Sequence, residues 1–390
     1  MTAPPPLSTL ELATGMVLGV RDGDPLPAPE GFTAAQALER AMLPALRRAP
    51  CLVSFSGGRD SAAVLATATA VARREGLVDP IPATNVFPHA PGADETDWQE
   101  RVVRHLGLRE WLRIEHGDEL DLIGPYAQRV LRRHGVLWPF NLHFHLPLLD
   151  AAAGGSLLTG VGGDELFGAA TRDRVAALLR GHERPRPRDL LGVGLALAPR
   201  PIRRCVIARR RRLTLPWLRP AARAAASAAL ADWSVSQPRG LAARLGFTLR
   251  ARYIASGTAG MSLLAADHDV LLAHPLLSPE LWAAVARDAA PLGFAGRTEG
   301  MRRLFGEVLP EEVCNRASKA NFNEAFWTER TRAFVRRWDG RGVPEQWVEP
   351  AALAEHWSRE RPAANSFSLL QSVWLASADR LEQPLDRIPA

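Results

Sequence analysis

The sequence predicts an α/β chain, a parallel sheet with helices on both faces, followed by a largely helical C-terminal region. Three observations carry this. Short apolar runs at residues 52–55, 81–86, 111–114 and 156–159 alternate with helical stretches, the pattern of strands joined by helical crossovers. Two of those runs end in glycine-rich turns, at 56–58 and 160–163. From about residue 241 onward, alanine, leucine and tryptophan recur at helical spacing.

In chain order, residues 1–33 are rich in proline and glycine and read as a loosely ordered lead-in. A helix is expected over 33–48, ending in a basic pair. The run at 52–55 is the first strand, and the alanine-rich stretch 61–74 the helix after it. Helices over 96–105 and 122–134 separate the next strands. These elements suggest an α/β core over 34–180, an arginine-rich insertion over 181–240, and a helical C-terminal part over 241–390. Residues 190–231 hold nine arginines and no acid, including the run Arg209 to Arg212. A solvated helical face is the favoured reading of that stretch over a nucleic-acid or membrane surface. The net charge of +6 owes much to the same segment, so nucleic acid is not the expected partner.

Composition is that of a globular protein, with 390 residues, 47% hydrophobic and 23% charged. No apolar run is long enough to span a membrane, and Met1-Thr2-Ala3-Pro4 does not open a signal peptide. Cys51, Cys205 and Cys314 are far apart and form no Cys-x-x-Cys, which points to neither zinc nor disulfides and fits a reducing cytoplasm. The same absence argues against a sulfur-transfer enzyme that works with paired cysteines.

The first glycine turn reads Ser54-Phe55-Ser56-Gly57-Gly58-Arg59-Asp60-Ser61. Consecutive glycines bring backbone N–H groups close to an anion, and the helix start behind them adds unpaired donors, so a phosphate or pyrophosphate is the natural ligand. Ser56 and Ser61 can donate to the same oxygens. Asp60 makes sense beside phosphates only if Mg²⁺ lies between them. No Gly-Lys-Ser/Thr follows, so this is not a Walker loop. The second turn, Gly160-Val161-Gly162-Gly163-Asp164-Glu165-Leu166-Phe167-Gly168, also follows a strand. In an open α/β sheet both turns face one crevice, and Asp60 and Asp164 are expected to share one Mg²⁺.

These two motifs resemble the signatures of the asparagine synthetase family, in the synthetase domain that belongs to the PP-loop ATP pyrophosphatases, an adenine-nucleotide alpha-hydrolase-like fold. Ser56 to Ser61 match Ser-Gly-Gly-x-Asp-Ser, and Gly160 to Gly168 match Gly-x-Gly-x-Asp-Glu-x-Phe-Gly. Weaker matches are Asp94-Glu95, His274-Pro275-Leu276-Leu277, and Leu309-Pro310-Glu311-Glu312-Val313 running on to Arg316 and Lys319. The resemblance implies an AMP-forming carbon–nitrogen ligase. ATP would activate a carboxylate as the acyl-adenylate, and an amine or ammonia would then displace AMP. It implies nucleotide binding by Ser54, Ser56, Gly57, Gly58, Asp60, Ser61, Val86, Gly160 and Gly162. Asp60 and Asp164 would hold Mg²⁺, Lys319 would stabilise the α-phosphate and the oxyanion, and Glu165 would orient the loop or the metal's waters. Lys319 is the only lysine among 48 basic residues, which fits a position that arginine cannot fill.

Three departures bear on substrate. The family's glutaminase domain, with its cysteine after the initiator Met, does not fit in the roughly fifty residues before the first loop, and residue 2 is Thr2. Nitrogen is then expected from ammonia, a separate amidotransferase, or an amine on the substrate. Val161 stands where the family often has an acid or tyrosine that helps deprotonate the amine, and valine cannot take a proton; either another group does so, with His143 and His145 the candidates, or the amine arrives neutral, or the second half-reaction is weak. Ala169-Ala170 replaces a common Gly-Tyr. Val161 and the alanine pair, both expected beside the substrate, argue for specialised amide, lactam or macrolactam formation over asparagine biosynthesis. Asparagine synthase proper, a non-catalytic nucleotide-binding partner, and an RNA-modifying adenylating enzyme are the alternatives; a homo-oligomer is allowed. His143 and His145, two residues apart, would share one side of a strand, but no third metal ligand accompanies them, and packing or pocket lining is favoured for them.

Overall fold

The structure, a computed structural model, describes residues 4–28, 31–171, 178, 184, 186, 189–210, 213–289, 293–318 and 322–382. Five strands form one all-parallel sheet: β1 (Cys51–Ser54), β2 (Ile81–Val86), β3 (Leu112–Glu115), β4 (Ser156–Thr159) and β5 (Leu271–Ala273). Their order is β3-β2-β1-β4-β5. The α/β parallel architecture expected from the alternation is therefore the one observed, and the C-terminal part is largely helical. β5 was not anticipated, because three residues within an apolar stretch carry no period that separates a strand from the helices around it.

The central strand is apolar throughout because both its faces are covered, as parallel sheets require. Leu52 and Val53 are buried, and Ser54 pairs in register with Thr159 of β4. Helix α1 (Thr9–Thr14) lies within the proline-rich first residues. Ser8 and Glu11 form a capping box at its start, Ala13 is fully buried, and Trp217 donates its indole N–H to the Ala13 carbonyl at 2.8 Å. Helix α2 (Ala34–Leu46) starts at a Thr33–Gln36 capping box. Helix α3 (Arg59–Arg74) follows the first glycine turn, and its residues 61–69 are all buried. Alanines there allow α3 to lie close between sheet and α2. Helices α4 (Thr96–Leu106), α5 (Pro125–His134) and α6 (Leu146–Ala151) complete the crossovers, and α7 (Gly163–Ala170) follows β4.

In the C-terminal part the helix Leu241–Leu249 packs on α7, and Arg252–Asp267 leads into β5. A second core gathers Trp217, Trp327, Trp357 and Phe367. Within the arginine-rich stretch, helices Arg200–Arg210 and Pro220–Ser236 pack on each other, with Arg204 and Asp232 paired at 2.5 Å. No residue of Arg200–Arg210 is buried, and Arg209 and Arg210 are exposed; Arg211 and Arg212 lie outside the described residues.

Strand order reverses direction between β1 and β4, and a crevice opens where loops leave their carboxyl ends in opposite directions. The turn Pro275–Leu277 closes that side, tied to the helix Pro279–Asp288 by a bond from Trp282 Nε1 to the Leu276 carbonyl at 2.7 Å. Trp282 is 0% exposed, and Trp282→Ala is expected to cost about 3–5 kcal/mol. Urea unfolding of wild type and variant checks this; a loss below about 1 kcal/mol would mean that the tryptophan does not support this turn.

Candidate active site

The first glycine turn is an open anion cradle. Gly57 has φ +82°, and a Cβ there would come within 2.8 Å of Gln99, so both backbone and space require glycine. Gly58 is the N-cap of α3 and offers no side chain, so the first backbone N–H groups of a 16-residue helix have no capping acceptor. A phosphate satisfies such groups. The serines are already set: Ser56 Oγ and Ser61 Oγ lie 3.2 Å apart, and Ser61 Oγ bonds the Gly58 carbonyl at 3.1 Å.

The second turn lies directly against the first. A Cβ on Gly160 would stand 2.8 Å from Ser61 N, and one on Gly163 only 2.2 Å from Asp60 Cγ. Gly162 takes φ +100° against Leu277. Asp60 and Asp164 thereby converge. One guanidinium bridges them: Arg297 Nη2 bonds Asp60 Oδ1 and Oδ2 at 2.6 and 2.5 Å, and Nη1 bonds Asp164 Oδ1. Burial pushes the Asp60 carboxyl above its ordinary value despite the opposing pull of Arg297. A cation thus already sits between two hard carboxylates, and the donor set fits Mg²⁺.

Two further arginines line the crevice. Arg316 is buried; it donates Nη1 to the Gly57 carbonyl at 2.7 Å, pairs with Glu95 through Nη2, and stacks over Trp98 at 4.8 Å. Arg59 opens α3, and burial holds its pKa below the ordinary value. Arg59, Arg297 and Arg316 line the phosphate end together with Asp60, Glu95 and Asp164, so its side-chain charges balance, and the open N-terminus of α3 adds unpaired N–H donors for an anion.

The other end is aromatic. The crevice, about 790 Å³, continues past Asn85 and Asn141 to Phe87, Phe140, Phe144, Phe322 and Phe326. Phe144 is the hub, with ring centroids 4.1 Å from Phe326 and 5.2 Å from Phe87. Val161, 38% exposed, and His145 lie on this wall. Behind it, Thr159 Oγ1 is 2.6 Å from His274 Nδ1 and accepts from Val161 N at 3.3 Å. Burial drives both His145 and His274 down to about 4, so both are neutral at pH 7.

Ser54, Ser56, Gly58, Asp60, Ser61, Gly160 and Asp164 all line the crevice. Gly57 and Gly162 shape its loops from beneath. Val86 does not line it; its carbonyl is held by His116 N at 2.9 Å. Glu165 does not line it either: it is partly buried on α7, and burial raises its pKa. Lys319 lies outside the described residues. His143 and His145 share no strand face, because residues 142–145 form a 3-10 turn. His143 points into the core, bonding the Leu120 carbonyl at 3.0 Å, and only His145 reaches the crevice. Ala169 and Ala170 are buried beneath α7 rather than beside the substrate end, since the helix turns both inward. Among the described residues no cluster of three or more metal-ligating side chains occurs. Sequence reasoning missed Arg297 because nothing sets one arginine apart in an arginine-rich chain. It also missed the aromatic wall, whose members come from three separate segments.

A parallel sheet with two glycine turns at its switch point, an anion cradle and paired acids together define a nucleotide-dependent enzyme of the PP-loop class. The family model described as asparagine synthase matches residues 33–380. The chain belongs to the asparagine synthase family, whose members are ATP-dependent amide-forming ligases. No curated protein matches it. No helix among the described residues is long and apolar enough to cross a membrane.

The two depressed histidines have a consequence for stability. A histidine whose folded pKa is about 4 binds fewer protons folded than unfolded, where its ordinary value is 6.5, so stability is present above 6.5 and lost as pH falls toward 4. At full extent each imidazole contributes on the order of 3 kcal/mol. Urea unfolding at pH 7, 6 and 5 is expected to show a falling midpoint, with a shallower fall in His274→Gln; identical slopes would mean that the imidazole is not buried neutral. Separately, Gly163→Ala is expected to displace Asp60 and weaken Mn²⁺ binding at least tenfold, read by electron paramagnetic resonance. Unchanged Mn²⁺ affinity would remove Asp60 from the metal site.

Proposed function

We propose that the chain adenylates a carboxylate with ATP, releasing pyrophosphate, and passes the acyl group to an amine or ammonia, releasing AMP. The observation that carries this reading is one crevice with an arginine-lined anion cradle at one end and an aromatic wall at the other. The cradle of Ser56, Gly58 and Ser61 suits the leaving pyrophosphate, with the three arginines balancing its charge. Asp60 and Asp164 would hold Mg²⁺, which neutralises phosphate charge when bound. Lys319 is assigned, by its place in the matched segment, to the α-phosphate and the oxyanion.

The aromatic end supports a carboxylate other than aspartate. An α-amino acid head group asks for charged or hydrogen-bonding partners. Phe140, Phe144, Phe322, Phe326, Leu148 and Val161 offer apolar surface instead. A carboxylate with an apolar or peptidic body fits, and amide, lactam or macrolactam formation is the reaction class. The nitrogen comes from ammonia, from a separate amidotransferase, or from an amine on the substrate itself.

The test is release of AMP and pyrophosphate from Mg·ATP with ammonium chloride and a panel of L-aspartate, L-glutamate, octanoate, 3-phenylpropionate and N-acylated amino acids. Carboxylate-dependent AMP is expected with the apolar members, falling at least about a hundredfold in Lys319→Arg and in Asp60→Asn. Turnover with L-aspartate alone would make the chain an asparagine synthase proper. ADP and phosphate would overturn adenylation.

A further inference from the structure

The substrate end contains one base that adenylation leaves unused. An acyl-adenylate becomes an amide only if the incoming nitrogen presents a lone pair and sheds a proton. Among the described residues, four side chains bearing a carboxylate or an imidazole line the crevice: Asp60, Glu95, Asp164 and His145. Three are committed. Asp60 and Asp164 are bonded to Arg297, and Glu95 to Arg316. Val161 has no such chemistry, and the Thr159 hydroxyl is engaged with His274.

His145 differs from all of these. It ends the turn Leu142–His145, on the wall shared with Phe144, Leu148 and Val161. Its Nδ1 is sealed from solvent with no hydrogen-bond partner, so Nε2 is the nitrogen left to meet a substrate in the crevice it lines. The titratable groups that act with it are His143 on its own turn and His274 from beyond β5, and both are histidines held neutral by burial. No carboxylate is bonded to its ring, so nothing holds it as an imidazolium.

We propose that His145 is the proton acceptor for the amine in the amide-forming half-reaction. This rests on the adenylation reading above. The amine nitrogen bonds to the acyl carbon, and the bond from that carbon to the phosphate oxygen breaks. AMP leaves with the electron pair. The nitrogen's proton moves to His145 Nε2 and from there to water. A weak base is enough, because a nitrogen already joined to the acyl carbon holds its proton far less tightly than a free ammonium ion. An aromatic wall suits the step, since it keeps the imidazole neutral and water away from the adenylate.

The test separates the two half-reactions in the full chain. Carboxylate-dependent ATP–pyrophosphate exchange reads adenylation, and amide formation with ammonium chloride reads the whole sequence, using the same carboxylate panel. In His145→Gln, amide formation is expected to fall about 10²–10⁴-fold while exchange falls far less. Equal losses in both, or amide formation intact beside normal exchange, would overturn the assignment. Absence of exchange in the wild type with every carboxylate would sink the adenylation reading, and the proposal with it. Nitrogen-15 histidine NMR of the wild type, with the His145 signal identified by its loss in His145→Asn, adds a readout that needs no turnover. A neutral ring at pH 7 is expected; an imidazolium there would also overturn the proposal.

Discussion

The site depends on the close approach of two loops from neighbouring strands. β1 and β4 pair in parallel up to Ser54 and Thr159, so their carboxyl ends finish side by side. The chains that leave them must turn at once within one another's van der Waals space. Gly160 and Gly163 meet Ser61 N and Asp60 Cγ at distances where no Cβ could stand. Glycine here is a condition of contact as much as of backbone angle. Because the loops touch, two acids just over a hundred residues apart in sequence converge on one guanidinium, and the N-terminus of α3 stays open beside them. Separation of the loops by one side chain would take the acids apart and leave an ordinary pair of βα turns.

The phosphate end was legible in the sequence because its chemistry is local. A strand, two glycines, a serine and an acid are contiguous, and the physics of close backbone approach needs nothing from elsewhere. The sheet was legible for the same reason, as far as its strands were long enough to show a pattern. What escaped was assembled from a distance. β5 is three residues long. Arg297 opens the helix Arg297–Phe305, the second helix after β5, and has no local signature. His143 and His145 look equivalent in sequence, and only the 3-10 turn sends one into the core and the other to the crevice. Ala169-Ala170 was read as substrate-facing because it adjoins a motif, yet a helix changes the face it presents within two residues.

Charge in the crevice is arranged by the same separation. At the phosphate end burial makes Asp60 and Glu95 costly unless a cation is near, and each has one: Arg297 for Asp60, which it shares with the exposed Asp164, and Arg316 for Glu95. Arg316 also holds the Gly57 carbonyl, so the pair that neutralises a buried acid fixes the shape of the anion loop. The arginines that balance the acids are therefore structural parts of the cradle as well as sources of positive potential.

At the other end no charge is present to balance, and the consequence runs the opposite way. Rings from three segments remove water from around His145, and burial then disfavours its protonated form. On the reading proposed above, the dryness that would favour an apolar substrate body also keeps the imidazole unprotonated, so substrate preference and proton transfer would share one cause. A polar group introduced among Phe140, Phe144 and Phe326 would admit water, weaken the hold on an apolar body and raise the imidazole's affinity for protons together. The two ends of the crevice divide the chemistry by dielectric: charges are matched where phosphate is handled, and excluded where nitrogen meets carbon.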